Sequence, residues 1–226
     1  MDFEKLLAVL QALGDQSVEY VLVGAIGLTV HGIVRATQDV DLFVRPEKDN
    51  VARLRAALRS VFPEDAAIED ISASDLAGEY PAIRYSSMDG SLVIDLLARL
   101  GDAFSYEDIR FEEKVYEGTS VRVATPEMLY AMKKNTMRLQ DHADAELLKE
   151  QFDLGKLTLP IRKFHSLDEA HRAQRIVPGT AEHSRALRSV FWMAARFAPD
   201  RMPPPGVHKY RSVEEAQAQR KLWGKV

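Results

Sequence analysis

The sequence contains no cysteine and only six histidines, and this scarcity limits the metal chemistry open to the chain. Without thiols, disulfides and thiolate zinc sites are excluded. The histidines are scattered, and none forms a closely spaced pair of the kind that ligates a metal. A bound metal would therefore have oxygen ligands, which favours Mg²⁺ or Mn²⁺.

Long apolar runs are also absent from the sequence. No stretch approaches the roughly 18 apolar residues that a membrane span needs. The first five residues, Met-Asp-Phe-Glu-Lys, do not resemble a secretory signal. With 46% hydrophobic and 28% charged residues, the composition is typical of a soluble globular protein. We therefore expect a cytoplasmic protein with no membrane partner.

Charge is unevenly distributed along the 226 residues. Residues 161–226 contain 13 Lys and Arg against 6 Asp and Glu, a net charge of +7. Because the whole chain carries −4, residues 1–160 carry −11. Such asymmetry suggests two functional units. We predict one domain over residues 1–155 and a basic, partly helical module over residues 161–226.

Hydrophobic periodicity predicts that helices and strands alternate in the first domain. Apolar residues at helical spacing predict helices over residues 3–13, 25–31, 46–60, 126–138 and 141–152. Strands are predicted over residues 18–23 and 39–44, and hairpins around Asp89-Gly90 and Glu117-Gly118. The predicted fold class is therefore α/β or α+β.

The basic module contains two segments that are similar to each other. Each has an aromatic residue, Phe164 or Tyr210, followed by Ser-x-x-Glu, the capping box that begins a helix. Between them, Arg185, Arg188 and Arg196 occur at near-helical spacing. We predict that the aromatic residues anchor this module and that the arginines supply its charge.

Three aspartates carry the chemical signal. Asp39 and Asp41 lie two residues apart in a predicted strand, so both side chains face the same way, and Asp95 can meet them from a neighbouring strand. Three anions so close repel one another unless a cation lies among them. Such a cluster can hold two metal ions about 3.5–4 Å apart for in-line displacement at a phosphate.

The order of these residues resembles the polymerase-β nucleotidyltransferase superfamily, in which a hydrophobic-Gly-Gly/Ser element precedes Asp-hydrophobic-Asp/Glu. Here Val23-Gly24-Ala25 is followed, after thirteen residues, by Asp39-Val40-Asp41. Within the superfamily, the chain is similar to the AbiEii/MenT-like toxin nucleotidyltransferases over about residues 18–150. The motifs that carry this similarity are Arg35-Ala36-Thr37-Gln38-Asp39, Pro126-Glu127-Met128-Leu129, Lys133 and Arg138-x-x-Asp141-x-x-Asp144.

This resemblance implies a nucleotidyltransferase fold, with a mixed sheet flanked by helices and a mostly helical C-terminal region. It also implies a magnesium-dependent enzyme that transfers a nucleoside monophosphate from an NTP to an acceptor hydroxyl. Asp39 and Asp41 would ligate metal, while Asp95 would complete the second metal site and accept the hydroxyl proton. The nucleotide would be bound by Gly24, Ala25, Arg35, Thr37, Lys133 and Arg138, with Lys133 preferred to Lys134 on motif spacing.

One position departs from the family pattern. Ala25 stands where Gly or Ser is usual, so a hydroxyl contact to phosphate is lost, although helix amides can still bind an anion. A non-catalytic binding module of the same fold is therefore an alternative to the enzyme. Structural roles also stay open for several candidates: His31 in packing, Thr37 in orienting the strand entry, and Asp141 and Asp144 in helix capping.

The resemblance further implies a toxin of a toxin–antitoxin pair. The 3′ end of tRNA is the leading acceptor, with small antibiotics and proteins as other acceptor classes. The antitoxin is either a separate cognate protein or the fused module at residues 161–226. That basic module could instead recruit RNA through phosphate contacts, or only pack against the enzyme.

Overall fold

The structure is a computed structural model that describes residues 1–79, 82–100, 103–134, 136, 138–154, 204–212, 215–216 and 218–219. Five α-helices lie in these ranges: α1 (Phe3–Asp15), α2 (Gly24–Val30), α3 (Lys48–Val61), α4 (Pro126–Lys133) and α5 (Leu139–Gln151). No helix in the described ranges is long and apolar enough to cross a membrane. Phe164, Arg185, Arg188 and Arg196 fall outside these ranges, so the predictions made for them stay predictions.

Seven strands form one mixed sheet. They are β1 (Tyr20–Leu22), β2 (Val40–Val44), β3 (Ala82–Ser86), β4 (Val93–Leu97), β7 (Phe111–Tyr116), β8 (Thr119–Ala124) and β9 (Gly206–Tyr210). A separate two-stranded sheet pairs β5 (Arg99–Leu100) with β6 (Phe104–Ser105). The order in the large sheet is β7-β8-β1-β2-β4-β3-β9, with β1 parallel to β8 and β2 parallel to β4. The predicted mixed α/β fold is confirmed.

Alternating side chains place a core on each side of the sheet. Val40, Leu42 and Val44 of β2 pack in the cluster that holds α1 and α3. Phe43, the intervening residue, packs in a second cluster with residues of α4 and α5. The central strands are therefore covered on both faces, and a polar residue in one of them needs a partner.

The predicted hairpin turns and helix cap are present. Glu117 and Gly118 join β7 to β8 and have φ values of 50° and 82°, as a tight two-residue turn of this kind requires. The Asp89-Gly90 turn joins β3 to β4. Thr125 caps α4 by accepting a hydrogen bond from the Met128 amide. Helix α4 ends at Lys133, earlier than the predicted position near residue 138, and α5 begins at Leu139.

A segment of the basic C-terminal region joins the main sheet as strand β9. It runs antiparallel to β3, with Tyr210 opposite Ala82, and Tyr210 is buried, as expected of an anchor. Ser212 Oγ then accepts a hydrogen bond from the Glu215 amide, as the predicted capping box requires. Lys209 forms an ion pair with Asp75 at 2.6 Å. These contacts favour the packing alternative for residues 204–212, and a separate module over residues 161–226 stays a prediction.

Candidate active site

A row of polar residues crosses four neighbouring strands on the α4–α5 side of the sheet. In the strand register Asp41 lies beside Asp95, Asp95 beside Arg84, and Arg84 beside His208. Asp39 directly precedes β2 and has the same parity as Asp41. The three predicted aspartates are therefore brought to one region, as the sequence suggested.

Arg84 lies between two of these aspartates. Its Nε and Nη2 donate to the two carboxylate oxygens of Asp95, at 2.6 and 2.5 Å, and Nη2 also donates to Asp39 Oδ2 at 3.3 Å. Only 3% of Arg84 is exposed. Burial opposes its charge, but the hydrogen bonds with Asp95 and the charges of Asp95 and Asp39 prevail, and they raise the pKa of Arg84. Arg84 is thus a permanent cation inside the acidic cluster.

The segment before β2 is held by side chains that the sequence had singled out. Thr37 Oγ1 donates to Asp39 Oδ1 at 2.7 Å, so this threonine orients a predicted metal ligand. Arg35 Nη1 donates to Asp144 Oδ2 at 2.5 Å, which ties the same segment to α5. Both residues therefore hold the segment that precedes β2. These contacts favour the alternative in which Thr37 orients the entry to the strand.

Gly24 packs directly against Asp41. It begins α2 with φ +62°, and a Cβ built on it would lie 1.8 Å from Asp41 Oδ2. The amide of Val23 also donates to the Asp41 carbonyl at 3.0 Å. Glycine is required here both for the left-handed backbone and for the close approach. Ala25, the next residue, is buried inside α2.

Lys133 belongs to a second buried charge cluster. Its Nζ donates to Asp141 Oδ1 at 2.9 Å and to Asp144 Oδ2 at 2.8 Å. Burial opposes ionisation of Asp141, but the charge and hydrogen bond of Lys133 outweigh it and lower the pKa of this carboxyl. Asp144 also binds Arg35, so this cluster links α4, α5 and the segment before β2. Asp141 and Asp144 lie in the first half of α5 and both bind Lys133 of α4, which goes beyond a capping role.

The two other cations of this region, Lys134 and Arg138, are both exposed. Lys134 is exposed, with its ammonium 5.7 Å from the ring centre of Tyr130, whereas Lys133 is buried. Of the two lysines, Lys133 therefore faces inward, and its role at the triphosphate stays a prediction. The Nη1 atom of the exposed Arg138 lies 3.4 Å from Asp141 Oδ2.

His31 has the packing role that was one of its alternatives. Its Nε2 donates to the carbonyl of Ala124 at 2.8 Å, and its Nδ1 accepts from Lys114 Nζ at 3.0 Å. The ring packs edge-on against Phe152. Burial lowers the pKa of His31, which favours the neutral ring that these hydrogen bonds require. It joins α2, the β7–β8 hairpin and the end of α5.

The residue types of the acidic cluster suit a divalent cation with oxygen ligands. In the described part of the chain, however, no three acidic or histidine side chains already converge on one ion position. Arg84 pairs with both Asp39 and Asp95, so two of the three aspartates already have a cationic partner.

Sequence reasoning missed Arg84, although a signal for it was available. A hairpin centred between Asp89 and Gly90 pairs residue 84 with residue 95, and side-chain alternation then puts Arg84 on the face of the aspartates. The contribution of β9 had no such signal, because its partner strand β3 is more than 100 residues away along the chain.

Comparison with known proteins assigns a family to the chain. A family model described as "Nucleotidyl transferase AbiEii toxin, Type IV TA system" matches residues 6–223. No curated protein matches the chain by sequence.

Solved structures with weak similarity are also nucleotidyltransferase-like. A proposed nucleotidyltransferase from Thermotoga maritima is 14% identical, with a TM-score of 0.41, over 68% of this chain and 96% of that one. The enzyme ANT(2″)-Ia in complex with adenylyl-2″-tobramycin is 12% identical, with a TM-score of 0.39, over 65% and 87%. An antigenic nucleotidyltransferase-like protein from Paracoccidioides brasiliensis is 17% identical, with a TM-score of 0.40, over 85% and 95%.

The match extends through β9, so residues 206–210 fall inside the family pattern as well as inside the sheet. The assignment also favours an enzyme over a non-catalytic binding module, despite Ala25. Because the family model covers nearly the whole sequence, the chain belongs to the AbiEii family of toxin nucleotidyltransferases.

Proposed function

We propose that this nucleotidyltransferase is a magnesium-dependent toxin that transfers a nucleoside monophosphate from an NTP to the 3′-terminal hydroxyl of tRNA. The acceptor hydroxyl loses its proton to Asp95 and its oxygen forms a bond to the α-phosphorus, the bond from that phosphorus to the bridging oxygen breaks, and pyrophosphate leaves. The observation that supports this proposal best is the register of β2 and β4, which sets Asp41 beside Asp95 with Asp39 nearby.

Asp39 and Asp41 are the proposed ligands of one divalent ion, and Asp95 completes the second site. A divalent metal held by these residues would supply charge neutralisation for the triphosphate and would acidify the attacking hydroxyl. Thr37 holds Asp39 through the hydrogen bond to Oδ1, and Gly24 fixes the position of Asp41 by close contact. Thr37 and Gly24 therefore help to position two of the proposed metal ligands.

Triphosphate charge is the proposed target of Lys133 and Arg35. Both are already paired with Asp144, so they would reach a nucleotide only by sharing or exchanging that partner. Phosphate oxygens accept from guanidinium and ammonium groups as carboxylates do, which makes such an exchange chemically reasonable. Arg138 at the start of α5 is the more exposed candidate for the same role.

The decisive experiment incubates the full-length protein with each α-labelled NTP, Mg²⁺ and total tRNA. We expect label to be incorporated into tRNA with one of the four nucleotides. Periodate oxidation of the terminal ribose removes the 3′ hydroxyl, so oxidised tRNA should accept no label. Asp41→Asn is the matched inactive variant, because it removes one charge without changing side-chain size.

Other results would redirect the proposal. Label that appears on oxidised tRNA equally well would exclude the 3′ end as acceptor. Label on a small hydroxyl compound or on a protein, with none on tRNA, would keep nucleotidyl transfer and replace the acceptor class. Full activity in EDTA would exclude dependence on a divalent metal.

A further inference from the structure

We propose that the guanidinium of Arg84 is a built-in cation that competes with divalent metal for Asp39 and Asp95. This inference rests on the proposed function, because it takes the three aspartates as metal ligands. Arg84 is then a positioning residue, and its contacts determine how tightly the protein binds metal before nucleotide binds.

Arg84 contacts the carboxylate oxygens of two of the proposed metal ligands. Nη2 lies 2.5 Å from Asp95 Oδ2 and 3.3 Å from Asp39 Oδ2, so one nitrogen joins the two carboxylates. Nε binds Asp95 Oδ1 at 2.6 Å. The other oxygen of Asp39 accepts from Thr37. Every oxygen of these two carboxylates is therefore already an acceptor, and an ion must share or displace those contacts.

Burial makes the competition strong. Arg84 is 3% exposed and Asp39 4%, so their interaction is poorly screened by water. Leaving buried carboxylates without a counter-charge is costly, and the guanidinium offsets that cost when no metal is bound. A divalent ion that enters must therefore replace an existing cation rather than fill a purely anionic site.

The backbone of Arg84 is fixed on both sides. Strand β3 pairs with β4, which carries Asp95, and with β9, where His208 lies opposite Arg84. Metal entry would therefore require the side chain, and not the strand, to move. Displaced guanidinium has a suitable new partner in nucleotide phosphate, whose geometry matches its planar fork.

The test measures Mn²⁺ binding to the nucleotide-free, full-length protein by titration calorimetry at constant ionic strength. We expect Arg84→Met to bind Mn²⁺ at least about tenfold more tightly than the wild type, because a neighbouring positive charge is removed from a buried site. Arg122→Met is the matched control. It removes the same charge from another strand, where Arg122 pairs with Glu113 at 3.4 Å, and it should leave the affinity unchanged.

Arg84→Lys provides a second measurement of Mn²⁺ affinity if the methionine variant folds poorly. Lysine retains the charge but cannot pair bidentately with Asp95, so the affinity should rise by a smaller factor. Unchanged or weaker Mn²⁺ binding in any folded Arg84 variant would overturn the proposal. So would variants that stay unfolded in saturating Mn²⁺, since a competing ion should replace the lost charge.

The same titrations separate this proposal from the proposed function. Tighter binding in Arg84→Met, lost again in Arg84→Met/Asp41→Asn, supports competition at the aspartates even if no nucleotidyl transfer is found. If the wild type is active but Arg84→Met binds Mn²⁺ no more tightly, the proposed function is supported and the competition is contradicted. Absence of Mn²⁺ binding to every nucleotide-free variant would overturn the competition, while the metal dependence of transfer is decided by the assay in EDTA.

Discussion

The Asp41 carboxylate lies against the backbone of Gly24, where a Cβ would approach its Oδ2 to 1.8 Å. Gly24 also has a left-handed φ of +62°, so two separate costs act on any substitution there. Because Asp41 is a proposed metal ligand, Gly24 affects the proposed chemistry by allowing this carboxylate to lie close to the backbone, and not through an electrostatic interaction.

Gly24→Ala should reduce nucleotidyl transfer by at least about 100-fold, since displacing a ligand by about 1 Å is enough for such a loss. The matched control is Gly90→Ala, which has φ +69° but open space around the added Cβ. Both variants should lose about 1 kcal/mol of unfolding free energy from backbone strain. Equal activity in the two variants would mean that the contact with Asp41 has no functional role.

A second prediction contrasts Asp95 with Asp41. Repulsion among three carboxylates alone would make any neutral substitution stabilising, but Asp95 holds the buried Arg84 bidentately. Asp95→Asn should therefore cost about 3 kcal/mol of unfolding free energy, as removal of one partner of a buried ion pair does. Asp41→Asn leaves the pair of Arg84 with Asp95 in place and should cost less, while both variants lose activity. Urea unfolding in EDTA provides the measurement, and equal stabilities would contradict the stabilising role of the Arg84 pair.

The contrast between these two aspartates shows what the sequence could reveal. Periodicity and turn chemistry identified β2, β4 and both hairpins, because those signals are local in the chain. The grouping of Asp39, Asp41 and Asp95 followed from strand alternation and motif spacing. Arg84 was recoverable from the hairpin register but carries no motif of its own.

Non-local pairing explains what the sequence could not reveal. Nothing in residues 206–210 indicates that they join β3, since sheet order depends on packing rather than on local propensity. Likewise, Lys133 and Arg35 have motif spacing suited to phosphate, yet both bind Asp144. The motifs therefore located the candidate residues, but they did not predict the contacts of Lys133 and Arg35 with Asp144.

The third prediction compares the adjacent lysines of the α4 end. Lys133→Ala should raise the KM for NTP and lower stability by about 3 kcal/mol, because Asp141 and Asp144 lose a buried partner. Lys134→Ala, at an exposed position, should change neither. Steady-state kinetics and urea unfolding on the same samples test both effects, and similar KM changes in the two variants would contradict the role of Lys133.

The fourth prediction is a pH dependence from the same cluster. The pKa of Asp141 lies below its ordinary value of 3.8, so its ionised form stabilises the folded state. That contribution is fully present above pH 3.8 and is lost as the pH falls below it. Lys133→Ala should weaken this acid dependence of unfolding free energy. A variant with the same slope below pH 3.8 as the wild type would show that Lys133 does not control Asp141.

The fifth prediction concerns the C-terminal region, where deletion of residues 161–226 would remove β9 and confuse loss of fold with loss of regulation. Substituting Arg185, Arg188 and Arg196 by Gln in the full chain retains the strand. If this region, with its net charge of +7, inhibits the acidic enzyme, the substitutions should weaken its attraction to the enzyme. Transfer activity should then rise, and expression should become more toxic. If it recruits RNA, tRNA affinity should fall and depend less on salt. We expect higher activity. If activity, tRNA affinity and stability are all unchanged, these arginines have neither role.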